Sequence, residues 1–151
     1  MSFAVDTNVL LRSIDDGHIA QPIAQKGLFA LRDRGETLSI FPQNLIEFWA
    51  VATRPVANNG LGLTVLQAEV ELVSLKNLFP LLPEIPEIFS TWEKIALQYR
   101  VAGKQVYDAR LVAAMTVHGV THLLTFNTND FKRFTDITAT SPQSILSDET
   151  T

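Results

Sequence analysis

Residues 2–11 read SFAVDTNVLL, and the aspartate in the middle of that run decides how the rest of the chain is read. SFAV has the composition of a short buried strand, and NVLLRSI continues as the first turns of a helix, with Thr7 or Asn8 as its cap. Asp6 then stands at the C-terminal end of a strand. A carboxylate among aliphatic side chains carries a desolvation cost unless it is paired, bound to a metal or turned to water. Asp6 is therefore either a helix cap or the first member of a functional site.

Working outward, short β-rich runs alternate with amphipathic stretches, the pattern of a layered α/β domain. PIAQKGLFALRDRG (22–35) predicts a helix with Ile23, Leu28 and Leu31 inward and a stop at Gly35, and TLSIF (37–41) a second strand. NLIEFWAVATRP (44–55) has Leu45, Phe48, Trp49 and Ala52 at helical spacing and ends at Pro55. Its other faces carry Ile46, Ala50 and Val51, which predicts burial on several sides, and Glu47 is its only acid. VANNGLGLT (56–64) reads as a loop; it lacks the Gly-Lys-Ser/Thr ending of a phosphate-binding loop.

Residues 64–79 have the period of a further helix, and FPLLPEIP (79–86) reads as a short strand with Pro-marked ends. EIFSTWEKIALQYRVAG (87–103) sets Phe89, Trp92, Ala96 and Tyr99 on one helical face. After a polar connection, KQVY, a helix starts at Asp108, turns Leu111, Val112 and Met115 inward and closes at Gly119. VTHLLTF (120–126) is a strand broken by NTNDFKRF, and ITATS (137–141) is a last strand. One domain over residues 1–140 is expected, with a polar tail over 141–151 whose final residues are poorly ordered.

With 151 residues, 46% of them hydrophobic, the chain is long enough to bury a core. It lacks the roughly 18 uninterrupted apolar residues of a membrane span, so a soluble, cytoplasmic protein that does not enter membranes is expected. There is no cysteine, so any metal must be held by oxygen or histidine. The formal charge of −4 argues against a basic module that coats nucleic acid.

The acids fall in a pattern. Asp6 and the Asn127/Asp130 pair end two strands, and Glu47 and Asp108 lie near the beginnings of helices; open parallel sheets bind ligands beyond the carboxyl ends of their strands. If these places converge, several carboxylates share one cavity, and repulsion raises their pKa values unless cations neutralise them. A hard divalent ion suits that arrangement, with Asp6 and Asp108 as direct ligands. Taken singly, each residue also has a structural reading: caps for Asp6, Asp108 and Asp130, and an ion pair with Arg54 for Glu47.

The stretches VDTNVLL, NLIEFW, VYDARLVAA and LLTFNTNDF occur in the order found in PIN-domain nucleases, and the chain resembles that family over nearly its whole length. The family includes the VapC-type toxin ribonucleases of bacterial toxin–antitoxin pairs. The resemblance implies a PIN-like three-layer α/β/α sandwich with a mainly parallel central sheet. It also implies an Mg2+- or Mn2+-dependent endoribonuclease, in which the metal orients the scissile phosphate and activates water.

On that reading Asp6 and Asp108 are the primary ligands, Glu47 holds a second ion or orients metal-bound water, and Asp130 is the fourth acid unless Asn127 takes its place. Asn8 and Thr125, with Asn127, would hydrogen-bond and fix the carboxylates. Arg12, Arg54, Lys104, Arg110, Lys132 and Arg133 would line an RNA-binding edge. A homodimer and an inhibitory antitoxin are the implied partners. Two other readings compete: a catalytically silent PIN-like scaffold for RNA or protein, and an aspartate-dependent phosphatase, whose D-x-D signature would need an acid where this chain has Asn8.

Overall fold

Every strand of the central sheet runs parallel, in the order β2-β1-β3-β4. The computed structural model describes residues 1–149. Along the chain these give β1 (Ser2–Val5), α1 (Thr7–Ile14), α2 (Gln21–Asp33), β2 (Thr37–Ser39), α3 (Pro42–Ala52), α4 (Val65–Leu78), α5 (Glu87–Gln98), α6 (Gln105–His118), β3 (His122–Leu124), β4 (Thr138–Thr140) and α7 (Pro142–Glu149). The register pairs Phe3 with Leu38 on one side of β1 and with His122 on the other.

The period of two along a strand explains the layers. Phe3 and Val5 of β1 face a core shared with α1, α2, α3, α4 and α7, whereas Ala4 faces a core built from α5 and α6. β3 divides likewise, Leu124 to the first core and Leu123 to the second. The result is a three-layer α/β/α arrangement, the form that the resemblance implies for the layered α/β domain read from the alternating pattern.

The order of the strands matters for function. From β1 the chain crosses to β2 on one side, then returns through α3–α6 to β3 on the other side. Strand order thus reverses at β1, and the crevice beyond the carboxyl ends of β1 and β3 is the topological switch point where open α/β sheets bind ligands.

Several local expectations change. The cap of α1 is Asp6 rather than Thr7 or Asn8: its backbone is extended and its side chain accepts the Thr7 N–H. α3 buries Leu45, Phe48 and Ala52 but leaves Ile46 70% exposed, so it is covered on one side only. Residues 79–86 form no strand; Leu81 makes an isolated bridge to Ile40, because prolines at 80, 83 and 86 remove the donors that a ladder needs. α5 turns Ile88 and Ile95 inward and exposes Phe89 to 65%, a rotation of the face expected from its aromatics. α6 begins at Gln105, placing Asp108 within its first turn.

The segment expected to be a polar tail contains α7. Ile145 is 3% exposed in the first core, and its carbonyl accepts a hydrogen bond from Arg34 Nη2 at 2.9 Å. α7 lies against α2 at Gly27, where an added Cβ would stand 3.0 Å from Pro142 Cβ. One apolar position every turn is enough to dock a short helix, even when its composition is polar. Residues 150–151 of that expected tail lie outside the described residues.

Candidate functional site

The site begins where β1 ends. The Asp6 N–H continues the sheet by donating to Leu124 O at 3.0 Å, which fixes the residue beside the end of β3. Asp6 Oδ1 accepts the Thr7 N–H at 2.8 Å, and Oδ2 accepts the Thr125 hydroxyl at 2.7 Å. Thr125 is fully buried. Its single proton goes to Asp6, while its oxygen accepts from Asn127 N at 3.0 Å and from Asn8 Nδ2 at 3.1 Å.

Asn8 completes the seam. Its amide nitrogen also lies 3.4 Å from Asp6 Oδ2, and its amide oxygen accepts the Phe126 N–H at 3.1 Å. The residues that follow β1 and β3 are thereby joined by side chains as well as by backbone. A hydroxyl and an amide whose every group is engaged leave the Asp6 carboxylate little rotational freedom.

Glu47 approaches from α3. Its Oε1 accepts from Gln43 Nε2 at 3.1 Å, one helical turn earlier. Burial raises its pKa above the usual range; the Gln43 hydrogen bond works against that, the charge of Asp6 adds to it and the charge of Arg110 opposes it. Asp6 is raised chiefly by burial, with the Thr125 and Thr7 hydrogen bonds opposing and Asp130 adding.

Asp108 enters from the first turn of α6, where a carboxylate also complements the helix dipole. Its pKa is pushed up to about 6 by burial and then by the negative charges of Asp6, Asp130 and Glu47. All of these influences act in the same direction. Asp130 lies in a 3-10 turn, Thr128–Phe131, just beyond β3. Its charge reaches both Asp6 and Asp108, whereas Asn127 takes part through its backbone, donating to Thr125 Oγ1 and accepting from Asp130 N at 3.1 Å. Four acids from four separate segments thus lie within one another's field.

They are not closed into a cage. Among the described residues, no group of three or more His, Asp or Glu side chains is arranged so that it would hold a metal ion. The donors are nevertheless all hard oxygens, a set suited to Mg2+ or Mn2+, and Mg2+ usually keeps several waters and takes only one or two carboxylates. An open cluster fits such an ion chemically.

The expected basic edge is distributed unevenly. Arg12 pairs with Asp15, one turn along α1. Arg110 pairs with Glu84 at 2.6 Å and also donates to Gln43 Oε1 at 3.0 Å. Arg133 donates to Gln105 Oε1 at 2.7 Å and stacks over Phe134. Lys104, just before α6, and Lys132, just after the 3-10 turn, are exposed beside these elements, and Arg54 is exposed beyond the end of α3.

Gln43 and Glu84 were not among the residues picked out by sequence. Gln43 is 8% exposed and binds Glu47, Arg110 and the Tyr107 carbonyl together. Its spacing of four from Glu47 was the available signal. Glu84 gave none, because its partner lies 26 residues away.

This parallel sheet, with acids gathered at its switch point, has the form of an α/β domain that binds ligands beyond the carboxyl ends of its strands, and the sequence assigns it a family. The chain belongs to the PIN domain family, whose model matches residues 3–137. No curated protein matches the sequence. Among solved structures, VapBC2 from Rickettsia felis, bound to a DNA fragment from its promoter, is similar with a TM-score of 0.72 at 14% identity, over 93% of this chain and 98% of that one. VapBC-1 from nontypeable Haemophilus influenzae gives 0.67 at 16% identity, over 95% and 99%. VapC20 of Mycobacterium tuberculosis, a sarcin-ricin loop cleaving toxin, gives 0.57 at 14% identity, over 80% and 86%. At these identities the likeness is one of fold.

Proposed function

We propose that the protein is a divalent-metal-dependent endoribonuclease and the toxin of a toxin–antitoxin pair. The observation that carries this reading is the gathering of Asp6, Glu47, Asp108 and Asp130 at the switch point, where burial and then the charges of the other three acids raise the pKa of Asp108 to about 6. Repulsion of that kind disfavours the empty cluster and favours a bound cation.

Mg2+ or Mn2+ is the cofactor of this reading, and when bound it supplies Lewis-acid polarisation of a phosphodiester and a water of lowered pKa. Asp6 and Asp108 would hold it, and Glu47 and Asp130 are the further acids that would hold a second ion or orient water. The chain's own contribution is orientation. Thr125 and the Thr7 N–H fix both oxygens of Asp6, Asn8 fixes Thr125, and Gln43 fixes Glu47. Oδ1 accepts the Thr7 N–H with one lone pair and keeps the other, so these bonds leave Asp6 able to ligate.

Arg54, Lys104, Lys132 and Arg133 are the basic side chains that would steer RNA toward this crevice. An antitoxin partner is supported by the VapBC complexes of like fold. A groove of about 410 Å³, lined by Leu45, Ile46, Trp49, Leu72 and Leu81, offers apolar surface to such a partner.

The scaffold reading draws support from one fact, the absence among the described residues of a ready-made group of three ligands. Labelled single-stranded RNA incubated with the protein and Mg2+ or Mn2+ separates the readings. Cleavage that EDTA, Asp6→Asn and Asp108→Asn each abolish is the expected result. A folded protein that binds RNA and cleaves none across diverse sequences would establish the scaffold. The phosphatase reading is disfavoured by Asn8, whose amide is committed to Thr125 and Phe126 where that chemistry needs a second acid.

A further inference from the structure

We propose that Gln43 is a positioning residue that sets the Glu47 carboxylate against Asp108 of α6, acting as a relay between Arg110 and Glu47. The inference rests on the reading of the acid cluster as a metal site and adds to it a residue outside that cluster.

The argument starts from the valence of an amide. A glutamine side chain offers two N–H donors and one carbonyl oxygen. Gln43 engages all of them: Nε2 donates to Glu47 Oε1 at 3.1 Å and to Tyr107 O at 2.8 Å, and Oε1 accepts from Arg110 Nη1 at 3.0 Å. The flipped amide would set its oxygen against a carboxylate and a carbonyl, and its N–H groups against a guanidinium. Three attractive contacts would become three repulsive ones, so the orientation is determined by its surroundings.

The same bonds join the elements that carry the acids. Glu47 lies on α3, and Tyr107 immediately precedes Asp108 on α6. One side chain therefore ties the Glu47 carboxylate to the backbone beside Asp108, which fixes Glu47 relative to α6. Arg110 is anchored in turn by Glu84 at 2.6 Å, from the connection between α4 and α5. A cation on the oxygen side of an amide and an anion on its N–H side polarise it in the same sense, which strengthens both hydrogen bonds. The chain Glu84–Arg110–Gln43–Glu47 thus runs anion, cation, amide dipole, anion.

Gln43→Met keeps the length and burial of the side chain and removes all three bonds. The test is Mn2+ binding to the folded protein, followed by calorimetry or by the free-ion paramagnetic resonance signal, alongside thermal unfolding in EDTA. Loss of an outer partner of a ligand is expected to weaken Mn2+ binding roughly 10- to 100-fold. With RNA, kcat is expected to fall while KM holds. In a Glu47→Gln background the same substitution should weaken Mn2+ binding no further, because Gln43 acts through Glu47. Arg110→Met, which leaves Gln43 in place but removes its polarising partner, should give the same defect in weaker form, and it carries the test if Gln43→Met does not fold.

Wild-type Mn2+ affinity in Gln43→Met, or an equal loss with and without Glu47, would overturn the proposal while leaving the metal site intact. Mn2+ binding that Asp6→Asn and Asp108→Asn leave unchanged would overturn both together.

Discussion

Asp108 gives the sharpest prediction, because its charge is unfavourable to the folded, metal-free protein. Its pKa rises from an ordinary 3.8 to about 6 on folding, through burial and three neighbouring carboxylates. The folded state therefore binds the Asp108 proton more tightly than the unfolded state does. Between about pH 4 and pH 6 the folded chain holds more protons, so stability falls as pH rises through that window and levels off above it. At about 1.36 kcal/mol per pK unit the full shift corresponds to about 3 kcal/mol. Asp108 is only partly buried, and solvent screening reduces this to about 1–1.5 kcal/mol. Asp108→Asn should recover that amount at pH 7.5 in EDTA, raising Tm by about 2–6 °C, and should recover little at pH 4. Thermal unfolding of both proteins across pH 4–8 measures it. Mg2+ should stabilise the wild type and not the variant. A variant no more stable than wild type at pH 7.5, or one equally stabilised at pH 4, would refute the argument that Asp108 sits in a repulsive field.

Two further substitutions probe the parts of the fold that hold the site. Thr125→Val removes the hydroxyl that donates to Asp6 and accepts from Asn8 and Asn127; about 1–3 kcal/mol of stability should be lost, with Thr125→Ser restoring most of it, as read by urea unfolding. The same Val variant should cleave RNA about 10- to 100-fold more slowly. Ile145→Ala empties a buried position between α7 and the first core and should cost about 2–5 kcal/mol, whereas a change of under about 0.5 kcal/mol would mean that α7 is not docked.

What the sequence made legible follows from short-range physics. The strand SFAV, the helices around Leu45 and Leu111 and the stops at Gly35 and Gly119 are signalled by periodicity and by residues tolerant of positive φ, and all form, although the helix around Leu111 begins at Gln105 and not at Asp108. The errors occur where tertiary contacts decide. Phe89, Trp92 and Tyr99 look like one inward face, but Ile88 and Ile95 are the buried pair, since large aromatics can be left partly exposed while smaller aliphatics fill the narrow space against α6. α7 was hidden because a polar octamer shows its anchors, Ile145 with Pro142 and Leu146, only when a surface with room for them is known. Glu84 and Gln43 were hidden for a related reason: the first needs Arg110, 26 residues away, and the second is an ordinary helical glutamine until Tyr107 and Arg110 arrive beside it.

Asp6 shows why capping and metal binding need not compete as explanations. The extended backbone of a helix cap is also the backbone of a residue leaving a strand, so one position can end β1, begin α1 and stand at the switch point of the sheet. The cap bond to the Thr7 N–H fixes one carboxylate oxygen, and the Thr125 hydroxyl fixes the other. Both bonds favour the ionised form, against the burial that opposes it. An aspartate used only as a cap would need neither burial nor Thr125, and water would serve its second oxygen. The seam from Thr125 through Asn8 to Phe126 thus gives Asp6 an orientation that capping alone does not require. Such pre-orientation is what a carboxylate must have if it is to meet a cation without first paying to reorganise.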